Sequence, residues 1–179
     1  MTSWFDRLRD PSEKTLGVIL LTLFSPFARS ASVPRPPNII LMVADDLGYG
    51  DLGCYGQKQI RTPNLDRVAS QGIRFTRHYS GNAVCAPSRC VLMTGRHPGH
   101  AQIRDNKEVQ PEGQWPLAAD TPTLPRLLRQ LGYTTGAFGK WGLGAPGSTG
   151  DPLNQGFDHF FGFNCQRQAH NHYPTYLWN

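Results

Sequence analysis

The chain has 179 residues, of which 39% are hydrophobic, 11% aromatic and 17% charged. This length and composition favour one folded domain and exclude wholesale disorder. The 18 Lys and Arg residues outnumber the 13 Asp and Glu residues, and the net charge of +5 is spread along the chain. Because the net charge is positive, we expect an anionic substrate. Nucleic-acid-binding proteins concentrate basic residues on one face, so the even spread predicts no nucleic-acid partner.

Residues 1–31 have the layout of a secretory signal peptide, with a positive start, a short apolar centre and small residues at the exit. The apolar run Leu16–Phe24 follows Lys14 and precedes small residues from Ala28 to Ser32. A membrane-spanning helix needs about 20 apolar residues, so no stable span is expected, and a signal anchor is the alternative. We therefore expect an exported protein, periplasmic or secreted, with a stiff proline-rich lead-in at 32–37.

The predicted elements after this lead-in alternate between strands and helices, which is typical of an α/β sheet protein. Residues 38–44 form a continuous apolar run, as expected of a strand buried on both faces of a parallel sheet. In chain order, the predicted elements are strand 38–44, a glycine-rich loop at 48–56, helix 62–72, strand 73–79, helix 88–94, helix 123–131, strand 133–138 ending near residue 140, and strand 157–163. We predict a mixed, largely parallel sheet flanked by helices.

Two adjacent carboxylates, Asp45 and Asp46, follow the first predicted strand directly. Ligands of open α/β sheets bind beyond the carboxyl ends of the strands. Because neighbouring carboxylates repel each other, a divalent cation with a preference for oxygen, calcium or alternatively magnesium, would compensate them. The other interpretation is that one aspartate caps a turn while the second is solvated.

Residues 85–96 carry the motif Cys-Ala-Pro-Ser-Arg followed by Thr-Gly-Arg, which resembles the signature of the sulfatase family. The motifs around it resemble that family in the same order: Asp-Asp after an apolar run, Gly-Tyr-Gly-Asp, Thr-Pro-Asn-Leu-Asp, and Gly-Lys-Trp after the cysteine. The resemblance runs from about Pro37 to about Tyr176. It implies an alkaline-phosphatase-like fold and an arylsulfatase-like hydrolase of sulfate esters, aryl or carbohydrate.

The resemblance also implies roles for individual residues. A formylglycine-generating enzyme would oxidise Cys85 to formylglycine, whose hydrate attacks the sulfur and then expels the covalent sulfate through its second hydroxyl. Arg89 would stabilise that hydrate, and Lys140 would act in catalysis and bind the sulfate. The metal, calcium or magnesium, would be held by Asp45, Asp46 and Cys85.

One position departs from the family pattern. Many sulfatases have Gly-Lys-Trp-His-Leu-Gly, with a catalytic histidine, where this chain has Gly142. His170 is the residue that we expect to bind substrate instead, and His172, His97 and His100 are further candidates. Cys165 and Gln166 lie where the family often lines its substrate cleft.

The resemblance implies that residues 38–179 are a truncated N-terminal portion of a sulfatase domain, because family members are normally longer and carry further metal ligands later in the chain. Two other hypotheses stay open beside sulfate-ester hydrolysis: a phosphatase or phosphonate hydrolase of the same superfamily, and a catalytically inactive chain. Cys54 and Cys90 are either free thiols or, in an exported protein, a disulfide.

Overall fold

A computed structural model describes residues 35–179, which divide into a unit ending at Val43 and a second unit, Ala44–Asn179. The predicted signal segment 1–31 and the first part of the lead-in lie outside the described residues. Within residues 35–179, no helix has the length and apolar character needed to cross a membrane.

The prediction of a strand at 38–44 is wrong. These residues have no regular secondary structure, and the side chains that were expected inside the sheet are exposed, Ile40 to 85%. An apolar run supplies the side chains for a buried strand, but the strand forms only when its backbone groups pair with a neighbouring strand. The predicted strand at 73–79 is wrong in the same way, with Phe75 and Tyr79 exposed.

The second unit contains four α-helices and two strands, with short 3₁₀ turns at Tyr49–Asp51, Gly53–Tyr55 and Pro98–His100. Its main elements are α1 (Pro63–Gln71), α2 (Cys85–Thr94), α3 (Leu124–Gln130), β1 (Gly136–Lys140), β2 (His159–Phe163) and α4 (Gln166–His170). The three longer helices follow local signals that the sequence displays: a proline in the first turn of α1 and of α3, and a left-handed glycine, Gly95, after α2.

Strands β1 and β2 pair in parallel, with Gly136 opposite His159 and Lys140 opposite Phe163. The two predicted strands in this region are therefore confirmed, although β1 begins three residues later than expected and β2 two residues later. In the described part of the chain, the sheet consists of this pair. Its carboxyl edge, where Lys140 ends β1, faces the ligand side expected of parallel sheets.

The core lies between α2 and the segment that follows β1. Ala86 and Cys90 of α2 are fully buried and pack in one cluster with Trp141, Leu143 and Phe160. The Trp141 indole donates a hydrogen bond of 2.7 Å to the Gly150 carbonyl. This packing fixes the first turn of α2 next to the end of β1. All four cysteines are free thiols, so the disulfide alternative for Cys54 and Cys90 is wrong.

Candidate active site

The first residue of α2 is Cys85, so the helix begins three residues earlier than the sequence predicted. The buried residues Ala86, Pro87 and Cys90 anchor the first turn in the core. The backbone N–H of Ala86 donates a hydrogen bond of 2.9 Å to Asn106 Oδ1, which the sequence did not single out. The thiol is therefore held at a fixed helix start while remaining half-buried.

Lys140 meets this cysteine from the end of β1. Its Nζ atom lies 3.3 Å from Cys85 Sγ, although the two residues are 55 positions apart in the chain. Only 9% of the Lys140 side chain is exposed, and its ammonium group also pairs with the Asp45 carboxylate. A nearly buried ammonium beside a candidate nucleophile can stabilise negative charge that develops there.

Asp45 lies on the other side of the thiol, with Oδ1 at 4.0 Å from Cys85 Sγ. Its Oδ2 atom accepts from Lys140 and lies 3.5 Å from Nη2 of Arg89. Partial burial raises the pKa of Asp45, but the hydrogen bond and charge of Lys140, with the charges of Arg89 and His170, outweigh burial and lower it. Asp45 is therefore a carboxylate near neutral pH.

Arg89 joins the helix to the strand. It lies one turn after Cys85 in α2, and its Nη1 donates a hydrogen bond to the backbone carbonyl of Lys140. Lys140 and Arg89 contribute two positive charges against the single negative charge of Asp45. Among these three paired side chains one positive charge is in excess, which suits the binding of an anion.

The structure thus brings together four of the predicted site residues, Asp45, Cys85, Arg89 and Lys140. The charge of His170 makes the smallest contribution to the lowered pKa of Asp45. Asp46 adopts a left-handed backbone with φ of 57°. His97 and His100 sit at a separate 3₁₀ turn, where His97 Nδ1 accepts from the Gly99 N–H.

The metal site expected at Asp45 and Asp46 is incomplete in this part of the chain. Among residues 35–179, no group of three or more His, Cys, Asp and Glu side chains is arranged to hold a metal ion. A calcium ion takes six to eight oxygen ligands, whereas the Asp45 carboxylate already faces the Lys140 ammonium and the Arg89 guanidinium. These donors by themselves do not fit a divalent cation.

The position that departs from the family pattern is filled from elsewhere in the chain. Gly142 is buried and has φ of 81°, and a Cβ atom added there would lie 2.8 Å from Cδ of Gln166. The Gln166 side chain is 4% exposed, and neither atom of its amide has a hydrogen-bond partner within the described residues. Its amide therefore occupies the space that a side chain at 142 would need, 24 residues away in sequence and invisible to motif analysis.

Comparisons with known proteins give one consistent result. A family model described as Sulfatase matches residues 37–179. The chain is 43% identical over 147 residues to steryl-sulfatase of Mus musculus, covering 75% of this chain and 23% of the relative. It is 44% identical over 142 residues to arylsulfatase A of Homo sapiens, covering 79% of this chain and 28% of the relative. The chain thus spans about a quarter of the length of these curated relatives.

A solved structure extends this likeness to three dimensions. The structure described as BT4656 in complex with its substrate D-Glucosamine-2-N, 6-O-disulfate superposes with a TM-score of 0.57 at 40% identity. The match covers 70% of this chain and 22% of that one. Together with the parallel pair of β1 and β2, this likeness confirms the predicted α/β fold class.

Proposed function

The chain belongs to the sulfatase family, and from that membership and the geometry at Cys85 we propose that it hydrolyses sulfate esters. The observation that carries the proposal is the Lys140 ammonium, 3.3 Å from Cys85 Sγ, inside a cluster with surplus positive charge. A sulfate ester is an anion whose transition state places additional charge on the oxygens around the sulfur. A fixed, nearly buried cation at that point stabilises this charge.

We propose that Cys85 acts after conversion to formylglycine, the group that sulfatases generally use together with a metal ion. The thiol sulfur stands in for the position of that group, and a formylglycine-generating enzyme is the partner that conversion requires. Support comes from the motif at residues 85–89, whose cysteine begins α2. When formed, formylglycine would supply a hydrated aldehyde as the nucleophile.

The other residues of the cluster bind and orient. Lys140 and Arg89 would hold the sulfate oxygens, and the ion pair with the Asp45 carboxylate would keep the Lys140 side chain directed at residue 85. His170 would bind the substrate and donate a proton to the departing alcohol. Asp45 and Asp46 remain the proposed protein ligands of calcium or magnesium, which would need further oxygen donors.

The proposal is tested by producing the full chain together with a formylglycine-generating enzyme and analysing the peptide that carries residue 85 by mass spectrometry. We expect the mass change for replacement of CH₂–SH by CHO, followed by turnover of an aryl sulfate and not of the matching aryl phosphate. Phosphate turnover would instead favour the phosphatase alternative. An unmodified thiol with no turnover would favour the inactive chain.

Variants of two lysines, one in the site and one exposed elsewhere, test the role of Lys140. Lys140→Met should abolish sulfate-ester turnover, because it removes the ammonium beside residue 85. Lys58→Met is the matched control, since Lys58 is exposed, and it should leave turnover unchanged. Equal activity of both variants would contradict the assigned role of Lys140.

We also propose that residues 1–31 direct export and that residues 38–179 belong to one sulfatase domain. The order of Lys14, the apolar run Leu16–Phe24 and the small residues after it supports the first proposal. Expression in a bacterial host followed by fractionation and N-terminal sequencing tests it. A mature product in the periplasm that begins near residue 32 is the expected result, and retention of Met1 in the cytoplasm would contradict it.

A further inference from the structure

Helix α2 begins at Cys85, although the residues around this start give it little local support. The N-cap residue, Val84, has no side-chain oxygen that can accept a hydrogen bond from the first turn. Ala86 lies within the helix but precedes Pro87, and a residue before proline disfavours helical backbone angles. The local sequence therefore opposes a helix start at Cys85.

The same segment contains a second start that the local sequence favours, at Ser88. Serine is among the preferred N-cap residues, and Pro87 ahead of it has no N–H group that needs a partner. In a helix that began at Ser88, Cys85 would lie three residues outside the helix. The place of the Cys85 thiol thus depends on which of the two starts the chain adopts.

Asn106 supplies, from a distant segment, the cap that α2 lacks locally. Its Oδ1 atom accepts a hydrogen bond of 2.9 Å from the N–H of Ala86, the second residue of the helix. This is one of the N–H groups that an N-cap side chain normally satisfies. Because Ala86 lies outside a helix that begins at Ser88, a cap on its N–H favours the start at Cys85.

The neighbours of Asn106 fix it in this position. Ile103, three residues earlier, is 3% exposed and belongs to the core cluster that also contains Ala86. The carbonyl of Lys107, the next residue, accepts a hydrogen bond of 2.8 Å from the N–H of Trp115. The capping side chain is therefore anchored to the same core that holds the first turn of the helix.

We propose that Asn106 is a positioning residue, which selects the helix start at Cys85 over the start at Ser88. By this selection it keeps Cys85 Sγ 3.3 Å from the Nζ atom of Lys140. The placement of the thiol does not depend on any activity of the chain. Its consequence for turnover rests on the proposed function, because it takes residue 85, after conversion, to be the nucleophile.

Amide hydrogen exchange of the unconverted full chain, followed by NMR, tests the cap. Asn106→Ala should accelerate exchange of the Ala86 N–H about fivefold or more, as expected from the loss of one N-cap. The N–H of Gly95 closes the other end of α2 with a hydrogen bond of 2.8 Å to the Val91 carbonyl, and it should keep its rate. Asn106→Asp should restore slow exchange, because a carboxylate oxygen accepts the same bond. Equal acceleration at Ala86 and Gly95, or acceleration at neither, would overturn the cap.

A cap supplied locally gives a second, independent test. Val84 is 43% exposed and has the extended backbone of an N-cap, so Val84→Ser added to Asn106→Ala should restore slow exchange at Ala86. Asn64→Ala is the matched control, since Asn64 is an exposed asparagine of α1, and it should leave that exchange unchanged. If Asn106→Ala alone does not fold, the double variant still decides. Recovery of a cooperative thermal transition supports the cap, and no recovery overturns it.

The place of the thiol is measured by alkylation of Cys85 with iodoacetate, an anion, and with iodoacetamide, which is neutral. In both reactions the sulfur displaces iodide from carbon, so the ratio of the two rates reports the positive charge near Sγ rather than the exposure of the thiol. Asn106→Ala should lower this ratio about fivefold at low salt, the Coulomb effect of one ammonium about 4 Å away in water. Cys54, which is half-buried in a separate turn, is the internal control in the same digest. An unchanged ratio at Cys85 would overturn the positioning role.

Failure of this inference and failure of the proposed function give different results. After conversion, Asn106→Ala should lower kcat at least tenfold with little change in KM, because a misplacement of about 1 Å can cost a factor of about 100 while Lys140 and Arg89 still bind the sulfate. A lowered alkylation ratio, with no turnover by the unaltered converted chain, would retain the positioning role and refute sulfatase activity. Turnover with an unchanged kcat in Asn106→Ala would retain the activity and refute the positioning role.

Discussion

Replacing Gly142 by alanine should destabilise the fold by about 2–5 kcal/mol. The left-handed backbone, with φ of 81°, costs a residue with a Cβ atom about 1–2 kcal/mol. The new methyl group would also lie 2.8 Å from Cδ and 2.9 Å from Oε1 of Gln166, and such overpacking costs about 1–3 kcal/mol. Gln166 is 4% exposed, so its amide cannot move into solvent without opening the surrounding core. Urea unfolding followed by circular dichroism measures the loss.

Two comparison variants separate the backbone cost from the collision. Gly147 has φ of 71° with open space around it, so Gly147→Ala should cost only the backbone part, about 1–2 kcal/mol. The double variant Gly142→Ala with Gln166→Ala should be more stable than the sum of the single changes by about 1 kcal/mol or more, because the collision disappears. A loss in Gly142→Ala no greater than in Gly147→Ala, or additive changes, would refute the reasoning.

Three further measurements test the charged cluster and the core. Lys140→Met should raise the pKa of Asp45 toward its ordinary value, because the hydrogen bond and the charge of Lys140 are lost. A carbon NMR titration measures this pKa, and an unchanged value would contradict the pairing of Asp45 with Lys140. Because the folded pKa of Asp45 is lowered, the stability that its carboxylate contributes should be complete above the unfolded value of about 3.9 and disappear as the pH falls through the folded value. The stability difference between the unaltered chain and Asp45→Asn should therefore shrink below about pH 4, and a pH-independent difference would contradict the assignment. Thr123→Val should lower the free energy of unfolding by about 1–3 kcal/mol, because the fully buried hydroxyl donates a hydrogen bond of 2.6 Å to the Gln155 carbonyl. The control Ser70→Ala, which removes an exposed hydroxyl, should lower it by at most about 0.5 kcal/mol, and urea unfolding measures both. Equal losses of stability in the two variants would contradict the prediction that the buried hydroxyl stabilises the fold more than the exposed one.

Helices whose start and stop signals lie in consecutive residues can be predicted from the sequence. Helices α1 and α3 follow from a proline in the first turn and apolar residues at helical spacing, and α2 ends where Gly95 takes a left-handed conformation. The sequence predicts that α2 begins at Ser88, whereas it begins at Cys85. The N-cap residue Val84 has no side chain that can cap the helix, so the local sequence does not signal this start. Ala86 and Cys90 are buried, so tertiary packing stabilises a helix start that the local sequence does not signal.

Strands required information that a local pattern does not contain. Residues 136–140 and 159–163 form strands because they pair with each other, while the more apolar residues 38–44 and the alternating residues 73–79 do not. Hydrophobic patterning describes the face that a strand would bury, and backbone pairing decides whether the strand exists.

The sequence by itself determined the family and the candidate nucleophile, because the motif around Cys85, including Arg89 one helical turn later, is contained within a few consecutive residues. Only the tertiary structure decided what surrounds that nucleophile. Lys140 reaches Cys85 across 55 residues and Asp45 across 40, since the packing of α2 against the end of β1 brings them into one cluster. In the same way, the amide of Gln166 fills the space beside Gly142. Contacts between distant residues follow from how buried surfaces fit together, and no spacing along the chain encodes them.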